Sequence, residues 1–213
     1  MDLLIDRKVK DFCEVLASRE PAPGGGSAAA LSGALGASLT MMVGNLTFGK
    51  KAYEALEQDI KAQLQQDYET IATVREELLK LVDEDTRAFN AYMEAVKMPK
   101  DTAEEREARE KAMEKAALYA LEVPMKVALN CLTVLKHQMP FVLYGNQNAV
   151  SDAGVGALLA FAGVEGAALN VKINLPGIGD EAVRNDVGEK IENCLNEARI
   201  LETKLRATVG GRL

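Results

Sequence analysis

The 29 residues from Pro21 to Gly49 carry no charge, in a chain that is 27% charged overall. A stretch of that composition has to be buried, inside the chain or against something outside it. It opens on Pro21-Ala22-Pro23-Gly24-Gly25-Gly26-Ser27 and closes before Lys50-Lys51. Gly24, Gly25 and Gly26 remove every side chain where backbone would approach a partner. Ser27 is a favoured N-cap, so the pattern predicts a helix over about 27–48. A helix N-terminus of this kind can hold an anion. The same richness in Ala, Gly and Ser describes a tightly packed central helix, and both readings stand at this point. A transmembrane span fits less well, because Gly, Ser, Thr and Asn dilute the run of about 20 strongly apolar residues that a span requires. Gly33, Ala34, Ala37 and Ser38 would let another helix backbone come close.

With 213 residues and no low-complexity linker, the chain reads as one domain over 1–213. Its net charge of −7, from 32 acidic and 25 basic residues, argues against nucleic acid as a partner. Cys13, Cys131 and Cys194 are far apart and sit among apolar helical neighbours, as reduced core thiols do. His137 is the one histidine and has no close Cys or His, so no metal site is expected. The opening MDLLIDRKVKDF lacks the basic stretch, apolar core and cleavage site of a secretory signal. Together these predict a cytoplasmic protein with no membrane association.

Apolar residues recur at helical spacing along most of the chain. Val9, Phe12, Cys13 and Leu16 predict a first helix ending near Ser18. No Gly or Pro interrupts Tyr53 to Met98, where Leu56, Ile60, Leu64, Ile71, Val74, Leu78, Val82, Phe89 and Met93 predict one long amphipathic helix or two nearly continuous ones. Pro99 stops it, Asp101 or Thr102 can cap the next, and the charges from Lys100 to Lys115 read as a solvated face. Pro124 predicts a break or a fresh start, and His137 is placed at the end of the helix that follows. A second Gly/Ala-rich stretch runs from Gly145 to Asp180, before a closing helix over about 181–208. No segment alternates with period two. The fold class is therefore all-α: a single-domain helical bundle with long antiparallel helices and Gly/Ala-rich central helices.

Several polar residues stand where these patterns ask for apolar ones. Asp85 and Thr86 occupy the core stripe between Val82 and Phe89, whereas Asp83 lies off it and is expected in solvent. A carboxylate on a buried stripe costs several kcal/mol unless it is paired or functional. On the second Gly/Ala helix, the face Val155, Leu159, Ala162 and Gly166 extends back to Asp152 and forward to Asn170, pointing both inward. Asn146 and Asn148 precede that helix and can simply cap it. With Asn174 they form a candidate site, or a buried network that only stabilises.

These residues fall in blocks that resemble a known family. The blocks are the PAPGGGS segment, Leu46-Thr47-Phe48-Gly49-Lys50-Lys51, Asp85 with Ala88-Phe89, Lys97-Met98-Pro99-Lys100, Val123-Pro124, Gly145-Asn146-Gln147-Asn148, Ser151-Asp152-Ala153-Gly154-Val155 and Asn170-Val171-Lys172-Ile173-Asn174-Leu175. In this order they resemble the cyclodeaminase domain of formiminotransferase-cyclodeaminase and the free-standing methenyltetrahydrofolate cyclohydrolases of the same fold. The resemblance covers nearly the whole chain.

It implies an all-helical domain that forms a homodimer and acts on tetrahydrofolate one-carbon derivatives, with or without a polyglutamate tail, using no metal or redox cofactor. The implied reaction is 5-formiminotetrahydrofolate cyclodeamination, yielding 5,10-methenyltetrahydrofolate and ammonia. The alternative is the cyclohydrolase reaction between 5,10-methenyl- and 10-formyltetrahydrofolate. A folate-binding or scaffold protein without catalysis is the rival from another class. Asp85 is the first candidate for proton carrier and Asp152 the second. The resemblance assigns Asn146, Asn148, Ser151, Asn170 and Asn174 to the substrate. Lys50, Lys51 and Lys97 are assigned to a glutamate tail, helped by the amides of Gly24, Gly25, Gly26 and Ser27.

Overall fold

The computed structural model describes residues 3–213. Seven α-helices follow one another: α1 Val9–Leu16, α2 Gly25–Thr47, α3 Lys51–Glu54, α4 Gln58–Lys97, α5 Ala103–Tyr144, α6 Val150–Asn174 and α7 Glu181–Gly210. Short 3-10 turns lie at Leu4–Asp6, Gln147–Ala149 and Leu175–Gly177, and no strand occurs among the described residues. α2, α4, α5, α6 and α7 form the bundle, and α2 packs on α4, α5 and α6 at its centre.

Glycine sets the central register. α2 and α6 run antiparallel, with Gly25 against Asn170, Ala29 against Gly166 and Gly36 against Gly156 and Ala160. A Cβ on Gly36 would lie 2.6 Å from the Gly156 carbonyl and 2.8 Å from the Ala160 nitrogen, so the two backbones touch there. Cys131 of α5 fills the seam between Gly33 and Gly163. Burial pushes its thiol well above the ordinary range.

This close approach corrects the expected face of α6. Val155 and Leu158 are exposed, while Ala153, Gly156, Ala157, Ala160, Gly163 and Ala167 face the core. At so short a separation only small residues fit, and the larger apolar ones are turned outward. Exposed Leu35, Met42 and Leu46 on α2 and Val155, Leu158 and Leu169 on α6 leave these two helices with apolar surface outside the core. α2, α5 and the Gln147–Gly177 segment that includes α6 are each long and apolar enough to cross a membrane by length and composition, and 44–56% of each apolar window is buried within the chain.

Other expectations also change. The long helix begins at Gln58, because the short α3 precedes it as a separate turn. α2 starts at Gly25 with Gly24 as N-cap, so Ser27 is an interior residue and not the cap. Thr102 caps α5 in a reciprocal capping box with Glu105. α5 then runs unbroken through Pro124 and Pro140. His137 therefore stands inside α5, where its Nδ1 lies 2.6 Å from the buried carboxylate of Asp67, which also accepts from Gln63. Asp83 is buried rather than solvated, accepting the backbone N–H groups of Leu4 and Ile5. Cys13 is exposed, while Cys131 and Cys194 are core thiols.

Candidate active site

A cavity of about 530 Å³ opens where the N-terminus of α2 meets the C-terminal half of α4, the turn of α5 at Ala117 and Ala120, and the C-terminal turn of α6. Gly24, Gly25, Asp85, Asn170 and Asn174 supply its polar wall, and the rings of Phe89 and Tyr92 lie among its apolar lining. The volume is in the range of small-molecule sites. Among the described residues no group of three or more His, Cys, Asp or Glu is placed to hold a metal ion.

Asp85 is the carboxyl of the cavity lining. Its Oδ2 accepts the backbone N–H of Ser27 at 2.9 Å and lies 3.1 Å from the Ser27 hydroxyl. That hydroxyl is also 2.8 Å from the Val82 carbonyl and 3.5 Å from the Thr86 hydroxyl. Oδ1 rests above Gly26, where a Cβ would lie 2.0 Å away, so glycine is required for the carboxyl to sit here. Burial raises the pKa of Asp85 and is the dominant influence, opposed by the Ser27 side-chain and backbone hydrogen bonds. A carboxyl held between these effects suits proton transfer nearer neutrality than an exposed aspartate. Ser27 itself is fully buried, so it meets Asp85 and not the contents of the cavity.

The asparagines are held by backbone. Asn170 Nδ2 donates to the Gly166 carbonyl at 2.9 Å, and Asn174 Nδ2 donates to the Ala120 carbonyl at 2.7 Å. Both spend an amide hydrogen on the protein. Neither Oδ1 takes a hydrogen bond from a described residue.

The remaining candidates are elsewhere on the chain. α2 is 23 residues long, roughly 33 Å at 1.5 Å per residue, and Lys50 and Lys51 follow its far end. Asn146 is at that end too: its N–H donates to Thr47 Oγ1, its Nδ2 donates to the Leu46 carbonyl, and its Oδ1 caps the following turn through Asn148 N–H. Ser151 and Asp152 sit in the first turn of α6 beside it. Lys97 is exposed at the end of α4, paired with Glu94, and does not line the cavity. Within one chain the structure thus assembles Gly24, Gly25, Asp85, Asn170 and Asn174, supports them with Gly26 and Ser27, and keeps Lys50, Lys51, Asn146, Asn148, Ser151 and Asp152 in a second cluster at the opposite end. Tyr92 and the Ala120 carbonyl are cavity features that residue patterning missed. Pro124 was the one signal for the latter, and it reads as a breaker until the partner of Ala120 is seen.

Known proteins resemble the chain over most of its length. Over residues 8–193 the chain matches the family model for formiminotransferase-cyclodeaminase. It is 39% identical over 205 residues to a methenyltetrahydrofolate cyclohydrolase of Methylorubrum extorquens, covering 96% of this chain and 97% of that protein. It is 37% identical over 196 residues to the formimidoyltransferase-cyclodeaminase of Gallus gallus, covering 92% of this chain and 36% of that longer protein. The crystal structure of a formiminotetrahydrofolate cyclodeaminase from Thermotoga maritima superimposes with a TM-score of 0.83 at 28% identity, covering 97% of both chains. The family-model match and the full-length relatives show that the chain belongs to the formiminotransferase-cyclodeaminase family.

Proposed function

We propose that the protein is a cytoplasmic enzyme of folate one-carbon metabolism that makes or opens the bridge between N5 and N10 of tetrahydrofolate, without a metal or redox cofactor. The observation that carries this reading is Asp85, a carboxyl with raised pKa, one oxygen anchored by Ser27 and the other over Gly26 in a cavity that suits a bicyclic ring. Both family reactions pass through a tetrahedral carbon between two nitrogens. Each needs one group that moves a proton and a wall that fixes the ring.

In the cyclodeaminase reaction, N10 attacks the carbon of the protonated formimino group (–CH=NH2+) and loses its proton. The amino nitrogen of the adduct takes up a proton and leaves as ammonia, giving the methenyl cation. Asp85 can accept the first proton and deliver it to the leaving nitrogen. In the cyclohydrolase reaction, water adds to the methenyl carbon and gives a proton to Asp85. The carbon–N5 bond then breaks, N5 takes that proton, and the adduct hydroxyl releases its own to solvent as the formyl group forms. The full-length relative from Methylorubrum extorquens favours the second reaction, and the solved structure from Thermotoga maritima favours the first.

A homodimer is part of the reading. The apolar surface outside the core lies on the same α2–α6 pair that connects the cavity to the Lys50–Asp152 cluster. A second copy packed antiparallel on this face would cover it and bring its own Lys50, Lys51, Asn146, Asn148, Ser151 and Asp152 toward the cavity, where the lysines would meet a glutamate tail. Absorbance of the methenyl chromophore is the direct test, with 5-formiminotetrahydrofolate in one cuvette and 5,10-methenyltetrahydrofolate in another. Appearance of chromophore with ammonia release identifies the cyclodeaminase, and its accelerated loss identifies the cyclohydrolase. Rates equal to the uncatalysed ones in both would leave only a binding protein.

A further inference from the structure

A helical residue at position 124 would donate its N–H to the carbonyl of Ala120, four residues earlier. Proline has no N–H, so this carbonyl has no partner along α5. Asn174, 54 positions away at the end of α6, donates its Nδ2 to it at 2.7 Å. The two ends of an asparagine amide are often interchangeable in a structure, but a carbonyl can only accept. The NH2 group must therefore face Ala120, and Oδ1 is fixed on the other side of the planar amide. Ala120 and Asn174 both line the cavity.

We propose that Pro124 is a positioning residue for the substrate: by leaving the Ala120 carbonyl free for Asn174, it holds the Asn174 Oδ1 as an acceptor for a ring N–H or NH2 of the ligand. The inference rests on the folate reading, since a pterin presents such donors along its amino-pyrimidine edge. One turn earlier, Asn170 Nδ2 donates to the Gly166 carbonyl of its own helix, which orients that amide without a proline. With Asp85 Oδ1, the cavity then offers three side-chain acceptors, and a ring edge rich in donors is the chemical match.

The test compares wild type, Pro124→Ala, Asn174→Ala and the double variant, with 5-formyltetrahydrofolate as probe in calorimetry and urea unfolding alongside. Pro124→Ala restores the helical N–H and gives Ala120 an axial partner, so the urea midpoint rises while the probe binds about three- to tenfold more weakly, the effect of one hydrogen bond. The double variant binds no more weakly than Asn174→Ala alone, because both changes act through one amide. A merely structural proline would lower the midpoint and leave affinity unchanged, and additive losses would equally overturn the proposal. If Pro124→Ala does not fold, Pro124→Val supplies the same N–H with more of the lost volume. If wild type binds no folate at all, the functional reading fails by itself. The side-chain amide resonances of Asn174, identified by their loss in Asn174→Ala, then decide: they shift in Pro124→Ala if the relay exists and stay in place if it does not.

Discussion

Ser27 meets Asp85 twice through one oxygen, with its backbone N–H at 2.9 Å and its hydroxyl at 3.1 Å from Oδ2, while the same hydroxyl lies 2.8 Å from the Val82 carbonyl. A hydroxyl carries one proton and two lone pairs. Turned to Asp85, it solvates the carboxylate. Turned to Val82, which can only accept, it presents a lone pair to the protonated acid. One side chain therefore serves both states of a proton carrier. Ser27→Ala removes the hydroxyl and keeps the N–H, so the pKa of Asp85 moves further up and the acid limb of kcat/KM against pH shifts to higher pH. An unmoved limb would show that the hydroxyl does not solvate the carboxyl.

Gly26→Ala separates helix stability from catalysis. In a free helix the change is favourable by about 1 kcal/mol. Here the new Cβ would lie 2.0 Å from Asp85 Oδ1, and the carboxyl has to swing away. Displacement by an ångström or more is expected to cut kcat about 100-fold. Thermal unfolding should change little, since what yields is a side chain facing a cavity. Activity within a factor of two of wild type would mean that Asp85 is not held in place for catalysis.

For Asp85→Asn the sign of the stability change is fixed by the direction of the pKa shift. A carboxyl whose folded pKa is raised above 3.8 binds more protons folded than unfolded, so its contribution to stability falls as pH climbs through that window. Above the window the native state carries a desolvated charge. The variant should therefore lose turnover on both folates, yet unfold at a higher urea concentration than wild type at pH 7, with the gain vanishing below pH 3.8. A midpoint below wild type at pH 7 would contradict the burial account.

Much of the bundle was legible because helical periodicity and uncharged runs are local properties. Asp85 stands out from its place on an apolar stripe, and the cap of α5 narrows to Asp101 or Thr102, of which the structure uses Thr102. What escaped depends on partners distant in sequence. Asp83 is satisfied by the amides of Leu4 and Ile5, and His137 by Asp67. Pro124 does not break α5, because the bundle packs it in the core and Asn174 crosses from α6 to satisfy the carbonyl it strands. The face of α6 was misread for a physical reason: where two backbones touch, glycine and alanine take the inside, and Val155 and Leu158 are left out. Reading Asp152 and Asn170 on one inward face of α6, with Asn146 just before it, grouped all three, although α6 sets Asp152 and Asn170 at opposite ends.

The Cys131 seam gives a reciprocal test of the central packing. A Cβ on Gly33 would lie 2.3 Å from Cys131 Sγ, inside a wholly buried layer. Gly33→Ala should lower stability by about 1–3 kcal/mol through overpacking. Adding Cys131→Ala removes the sulfur and should recover much of that loss, so the two changes are non-additive in urea titrations. A double variant as unstable as the sum of the singles would place the clash on backbone instead.

The apolar surface of α2 and α6 decides between a second copy and a lipid. Leu169 is 68% exposed and Ile173 76%, and with Leu35, Met42, Val155 and Leu158 they leave the bundle with apolar surface on its two most uncharged helices. Exposed apolar residues grouped in this way mark an interface. A self-association face predicts that the chain stays in solution without detergent and sediments as a dimer. Leu158→Glu would bury a carboxylate in that contact and weaken association by about 100-fold, in line with ~3 kcal/mol for an unpaired buried charge. It leaves the cavity lining untouched, so any loss of turnover at concentrations where the variant is monomeric assigns part of the site to the partner copy. Sedimentation across a concentration series, read beside the methenyl assay, separates the cases. A wild-type monomer at all concentrations removes the dimer, and a requirement for detergent moves the partner of α2 and α6 from protein to membrane.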